Sequence, residues 1–153
     1  MIHKYLSIIL IILYGCKPIE PVNFIEITDA KINSSKNNEL FISAQIILEN
    51  PNKVKITINK VDVDIYVENT VIVSIEDDNP RELIESAEST LDIEGEVNLK
   101  NLEDFLNKKG LAIILGNDDV SLKFIGKIEA KAYGIKDEIN INYTINSIKG
   151  LIK

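Results

Sequence analysis

The residues best suited to chemistry are few and scattered. The chain of 153 residues holds one His, His3, one Cys, Cys16, and no Trp. A Ser-His-Asp or Cys-His catalyst needs an imidazole beside its nucleophile, and the usual zinc sites need several thiolates or imidazoles. If the first fifteen residues are removed and the Cys16 thiol is modified, as argued below, the remaining domain has neither imidazole nor free thiol and supplies none of these sites. Two acidic turns, Asp77-Asp78-Asn79 and Asn117-Asp118-Asp119, bring together the oxygen ligands that Ca²⁺ takes. Neither has the spacing of a twelve-residue loop closed by a Glu, so solvated turns are the simpler reading. The rows Asp62/Asp64/Glu68 and Asp92/Glu94/Glu96 could in principle pair carboxylates for glycoside hydrolysis. Acids alternating along a strand share its wet face, where they more often serve solubility and edge protection. Ser121 and Lys123, like Ser147 and Lys149, are two apart, which in a strand means only a shared face. No catalytic set, metal, cofactor or small-molecule substrate is expected. Lys plus Arg number 17 against 24 Asp plus Glu, a net charge of -7. An acidic chain lacks the electrostatic footprint of a nucleic-acid binder, and anionic headgroups repel it.

That leaves Cys16 to be explained. His3 and Lys4 form a short basic start, followed by the apolar run Leu6–Leu13. The run is too short for a spanning helix, which takes about 20 apolar residues. Leu13-Tyr14-Gly15-Cys16 closes it and resembles the lipobox of bacterial lipoproteins, although Tyr14 is bulkier than usual at its position. The alternative is an ordinary secretory signal with Cys16 an incidental thiol. The resemblance implies a signal peptide over 1–15, a lipid on the Cys16 thiol, and acylation of the new N-terminus. Lys17-Pro18-Ile19-Glu20-Pro21 completes residues 16–21 as lipidated Cys and tether, made semi-rigid by its two prolines. Cleavage removes only Lys4 from the charge count, leaving 16 basic residues against 24 acidic, or -8. Lys17 stands where an Asp often retains lipoproteins at the inner membrane, which favours the outer membrane.

The elements of the remaining 22–153 domain follow from hydrophobic period. Leu40, Ile42, Ala44, Ile46 and Leu48 alternate with polar neighbours and predict a half-buried strand. On this reading Ile46→Asp is strongly destabilising and Gln45→Asp nearly neutral. Val61–Val67 and Val71–Ile75, joined at Glu68-Asn69, predict a hairpin. Val54, Ile56 and Ile58 sit in the opposite phase, so a bulge or bend is expected at Asn59-Lys60. Alternation recurs over Ala87–Leu99, Val120–Ala132 and Ile139–Ile145, and less cleanly over Phe24–Ile32. Leu102, Phe105 and Leu106 have helical spacing, with Asn101 as expected N-cap and Gly110 as expected end. Leu111–Leu115 reads equally as helix or buried strand. About seven strands and one short helix predict an all-β sandwich.

The segment Glu49-Asn50-Pro51-Asn52 ends one alternating strand, and a second strand and a Val-rich hairpin follow. This order resembles the late-embryogenesis-abundant type 2 family, also called the WHy domain. Physically Asn50-Pro51-Asn52 is a corner: Asn50 is pushed out of the helical region by Pro51, and Asn52 caps its own turn. A direct binding role is the other reading of these three residues. Phe124-Ile125-Gly126, then Ile128–Gly134 and Ile139–Tyr143, look like the family's closing strand pair; the segment 110–119 is longer than that pattern. The resemblance implies an immunoglobulin or fibronectin III-like sandwich without enzymatic activity. It further implies a link to water stress and desiccation, with client proteins or membranes as what is protected. An envelope adaptor that binds one protein partner is the alternative.

Overall fold

A computed structural model of the chain describes residues 18–35, 39–114 and 120–146, and at 111–114 the backbone alone. In chain order the elements are β1 (Asn23–Ser34), β2 (Leu40–Asn50), β3 (Ile56–Val67), β4 (Thr70–Asp77), β5 (Arg81–Leu83), β6 (Ala87–Glu96), α1 (Leu99–Ile114), β7 (Leu122–Ala132) and β8 (Ile135–Ile145). β1-β2-β6 form one sheet and β4-β3-β7-β8 the other, with β5 also paired to β3. Every pairing among these strands is antiparallel. The expected all-β sandwich is the observed architecture, and the three-residue β5 is its eighth strand.

The inward faces are those set by alternation. Ile46 and Leu48 of β2, Val63 and Ile65 of β3, and Phe124 and Ile128 of β7 are fully buried. The phase change before Val61 is a bulge, where β3 slips against β7 between Ile58 and Lys60. It lets one long strand bury Ile56 and Ile58 at one end and Val61–Val67 at the other. β1 is uneven for the same reason, with irregularities at Phe24/Glu26 and Thr28/Lys31. A further bulge opposite Ile65 and Tyr66 inserts Ile72 into β4, so Ile72 and Val73 are both buried. Alternation by itself misses such a pair.

Gly126 lies opposite both Val63 and Ile141 at the middle of the larger sheet. A Cβ there would run into the Asp62 carbonyl oxygen and approach the Val63 Cα to 2.6 Å. Only Gly permits that backbone approach. β7 and β8 are joined by Tyr133-Gly134, both at positive φ (50° and 85°), as a two-residue hairpin turn of matching twist requires.

The helix departs from expectation in three ways. It starts at Leu99, with Asn98 rather than Asn101 as its cap: the Asn98 side chain accepts from the Asn101 N–H at 3.1 Å. The Asn101 amide instead donates to the Val71 carbonyl at 2.8 Å and ties α1 to β4. Gly110 does not end the helix, which runs on to Ile114, so Leu111–Ile114 is helix and not strand. Leu99, expected on the inner face, is half exposed as the first helical residue, and Leu106 is also exposed, while Phe105 is buried.

Candidate functional site

Four chain segments converge at one end of the sandwich. They are the leading residues Pro18–Val22, the β2–β3 connection, the β5–β6 turn and the β7–β8 turn. The registers Asn50↔Ala87, Ile56↔Leu83 and Ala132↔Ile135 bring the three turns to that end. Asn50 is the hub. It is the one buried polar residue among those described, at 0% exposure. Its Nδ2 donates to the carbonyls of Val54 (2.8 Å) and Ile84 (3.1 Å). Its Oδ1 accepts from the backbone N–H of Asn52 (3.0 Å) and from the Asn52 side-chain amide (3.1 Å). All of its hydrogen-bonding capacity toward protein is used, which is what makes full burial of an amide tolerable.

Asn52 carries the network outward. Its Nδ2 donates to the Glu20 carbonyl and its Oδ1 accepts the Glu20 N–H, both at 2.8 Å. One side-chain amide thus satisfies both backbone groups of Glu20, as a neighbouring strand would. The Asn52 carbonyl accepts from the Ser86 N–H at 2.8 Å, and Ser86 holds a left-handed φ of 52°. Pro51 sits between the two amides, where it supplies a fixed φ and demands no partner. The corner is therefore a clamp that joins the leading segment, 32 residues away in sequence, to the β5–β6 turn, 34 residues away. Glu20, Ile84 and Ser86 had no local signal, because their parts in the clamp exist only through long-range pairing.

Beside the clamp, the Lys55 ammonium meets Glu82 at 2.8 Å. The hydrogen bond and the charge of Glu82 raise the Lys55 pKa above its ordinary value. Glu138 does the same for Lys127 on the outer face of the larger sheet, at 3.1 Å. Both ammoniums are exposed, so these pairs add little to stability.

The structure separates the remaining candidates. Asp77 is engaged by Arg81, by the Asn79 N–H (2.9 Å) and by the Asn79 amide (2.6 Å), which closes its turn on protein partners. Asp64 accepts from the Ser74 hydroxyl at 2.6 Å, and Asp62 faces Lys127 across the strands. Asp92 accepts from the Gln45 amide at 2.8 Å, while Glu94 and Glu96 are exposed on the outer face of β6. None of these carboxylates shares a cleft with another. Tyr133 is 80% exposed on its turn. Cys16, the residues before it, Lys17, and the Asn117-Asp118-Asp119 turn lie outside the described residues. No helix among the described residues is long and apolar enough to cross a membrane.

A family model described as "Late embryogenesis abundant protein", type 2, matches residues 45–146. That span contains the clamp residues Asn50, Pro51 and Asn52 and both closing strands. Among solved structures, a protein from Archaeoglobus fulgidus superposes with a TM-score of 0.58 at 12% identity, covering 82% of this chain and 98% of that one. A protein from Arabidopsis thaliana, known from a solution structure, superposes with a TM-score of 0.61 at 15% identity. That superposition covers 86% of this chain and 82% of the other. At such identities the likeness is one of fold. No curated protein matches the sequence.

Proposed function

Since the chain belongs to the late embryogenesis abundant family, type 2, we propose that it is a non-enzymatic envelope lipoprotein that protects neighbouring proteins or the membrane when water is withdrawn. Lipid on Cys16 holds it to the membrane surface, by preference the outer membrane. Members of the family are in general not enzymes. The observation that carries the reading is the family match across the sandwich.

The outer faces supply a mechanism. Glu49, Glu88, Asp92, Glu94 and Glu96 line the outside of the smaller sheet, and mixed Asp, Lys and Glu line the larger one. Strongly hydrated side chains on a rigid scaffold keep water and distance between surfaces that would otherwise stick. The excess negative charge keeps copies apart. A folded sandwich cannot wrap a client, so protection requires near-stoichiometric amounts.

Two measurements test this. Growth with a radiolabelled fatty acid marks the protein, and Cys16→Ala abolishes the mark; equal label in the variant removes the anchor. Drying or freezing a labile enzyme with the domain from Lys17 onward preserves more activity than an inert acidic domain of the same size does. Protection no better than that control removes the shield, and one saturable partner in an envelope pull-down then assigns the adaptor role.

A further inference from the structure

We propose that the clamp end of the sandwich rests against the lipid surface, with Ile84, Tyr133 and Ile135 dipping into the headgroup boundary and the strands standing away from the membrane. This rests on the lipid anchor at Cys16 proposed above and adds to it an orientation and a second, non-covalent contact.

The first observation is where the apolar surface lies. Among the described residues, the three most exposed large hydrophobic side chains are Tyr133 (80%), Ile135 (65%) and Ile84 (59%). All three sit at the clamp end, on the β7–β8 turn, at the start of β8 and before the β5–β6 turn. Tyr133 borders the same hollow as Pro18, Ile19 and Val54, and Ile135 borders the next one with Pro18 and Ile19. The apolar rim and the leading segment are therefore neighbours.

The second observation is strain without packing. Tyr133 occupies φ 50° at a turn position where Asn or Asp is the usual choice. A bulky residue in that conformation is costly, and its ring, 80% exposed, recovers little by packing within the chain. Its phenol has an apolar body and a polar tip, the combination that suits a membrane–water interface.

The third is reach. Asn52 fixes Glu20 to the body of the domain by two hydrogen bonds. Three residues lie between Cys16 and Glu20, so the four steps from one to the other span at most about 14 Å when fully extended. Side chains that enter an interface sink only about 5–10 Å. A tether this short keeps the clamp end within touching distance of the bilayer. The acidic rows run along the strands, so in this pose they face sideways and not the headgroups. Around the rim itself the exposed charges are mixed, Lys53, Lys131 and Lys136 beside Glu20, Glu85 and Asp137.

The test uses the full lipidated chain in vesicles of phosphatidylethanolamine and phosphatidylglycerol. An environment-sensitive fluorophore is placed at Glu85→Cys beside the rim or at Asn69→Cys on the far β3–β4 turn; both sites are exposed. In vesicle-bound protein, the Glu85→Cys label shifts to the blue and loses most of its quenching by aqueous iodide, while the Asn69→Cys label stays aqueous. Adding Ile84→Ser, Tyr133→Ser and Ile135→Ser returns the first label to water without releasing the protein. An aqueous Glu85→Cys label on protein that floats with the vesicles overturns the orientation and leaves the anchor standing. Protein that does not float overturns the anchor, and the orientation with it. A label shielded only after envelope proteins are added assigns the rim to a protein instead.

Discussion

Replacing Asn50 by Ala tests whether the clamp holds this end of the sandwich together. The substitution deletes four hydrogen bonds and the only buried polar side chain among the described residues. At about 1 kcal/mol net for each bond, the gross loss is about 4 kcal/mol. Val54 is half-buried and Ile84 exposed, so their carbonyls can turn to water and recover part of it. The Asn52 N–H loses its acceptor within the turn. The balance is a loss of about 3 kcal/mol, a large share of a stability of about 5–15 kcal/mol. With m near 2 kcal/mol/M, the urea midpoint falls by about 1.5 M at unchanged slope. Asn50→Asp keeps the shape and the acceptor but turns a carboxylate oxygen toward two carbonyls. It costs more than Ala at neutral pH. Its carboxyl pKa is raised in the folded state, so the penalty is full at high pH and shrinks as pH falls and the protonated oxygen can donate. A loss below about 1 kcal/mol for Asn50→Ala, or an Asp variant insensitive to pH, refutes the account of Asn50 as the hub.

The other expectations concern the sheets. Gly126→Ala forces the Asp62–Val63 backbone to move, and thermal unfolding registers a cost of at least the ~1–3 kcal/mol typical of overpacking. Ile46→Asp places an unpaired charge at a fully buried site and abolishes cooperative folding by circular dichroism. Gln45→Asp, one residue away, faces Asp92 and removes the Gln45 hydrogen bond, so it costs about 0.5–1 kcal/mol and is not neutral; added salt reduces the cost. Lys127 has its folded pKa raised by Glu138, so the pair's small contribution is present below the unfolded pKa and is lost as pH rises through the folded one. Lys127→Gln accordingly flattens the alkaline limb of the stability profile, read by melting temperature against pH.

Much of this fold is legible in period alone. Strict alternation over β2, β6 and β7 reports one wet and one dry face, and the phase slip at Asn59-Lys60 marks a real bulge between Ile58 and Lys60. Legibility fails where contacts are distant in sequence. Asn101 satisfies a capping rule, yet its amide serves β4, and Asn98 caps because β6 ends beside it. Ile72 is buried because a bulge adds it to a hairpin, which period two does not anticipate. At the candidate site, Asn50, Pro51 and Asn52 read as a corner in which Asn52 caps its own turn; the Asn50 side chain takes that part instead, accepting the Asn52 N–H, and the Asn52 side chain reaches Glu20. That the corner grips Glu20, Ile84 and Ser86 depends on strand pairings that no local pattern encodes.

The clamp also has a mechanical meaning. β1 starts beside it, with Asn23 opposite Glu49, and runs lengthwise to Ser34 opposite Leu40 at the other end. A tug on the chain ahead of Pro18 is met first by the two Asn52 hydrogen bonds to Glu20. Once those yield, the force acts along the axis of β1 and slides it against β2. The ladder is then loaded in shear, with all its rungs sharing the strain together. Peeling would instead break them one after another. A domain threaded in this way resists extension from its front end far better than its modest equilibrium stability suggests, because the rate of forced rupture depends on the unfolding barrier and not on the free-energy difference.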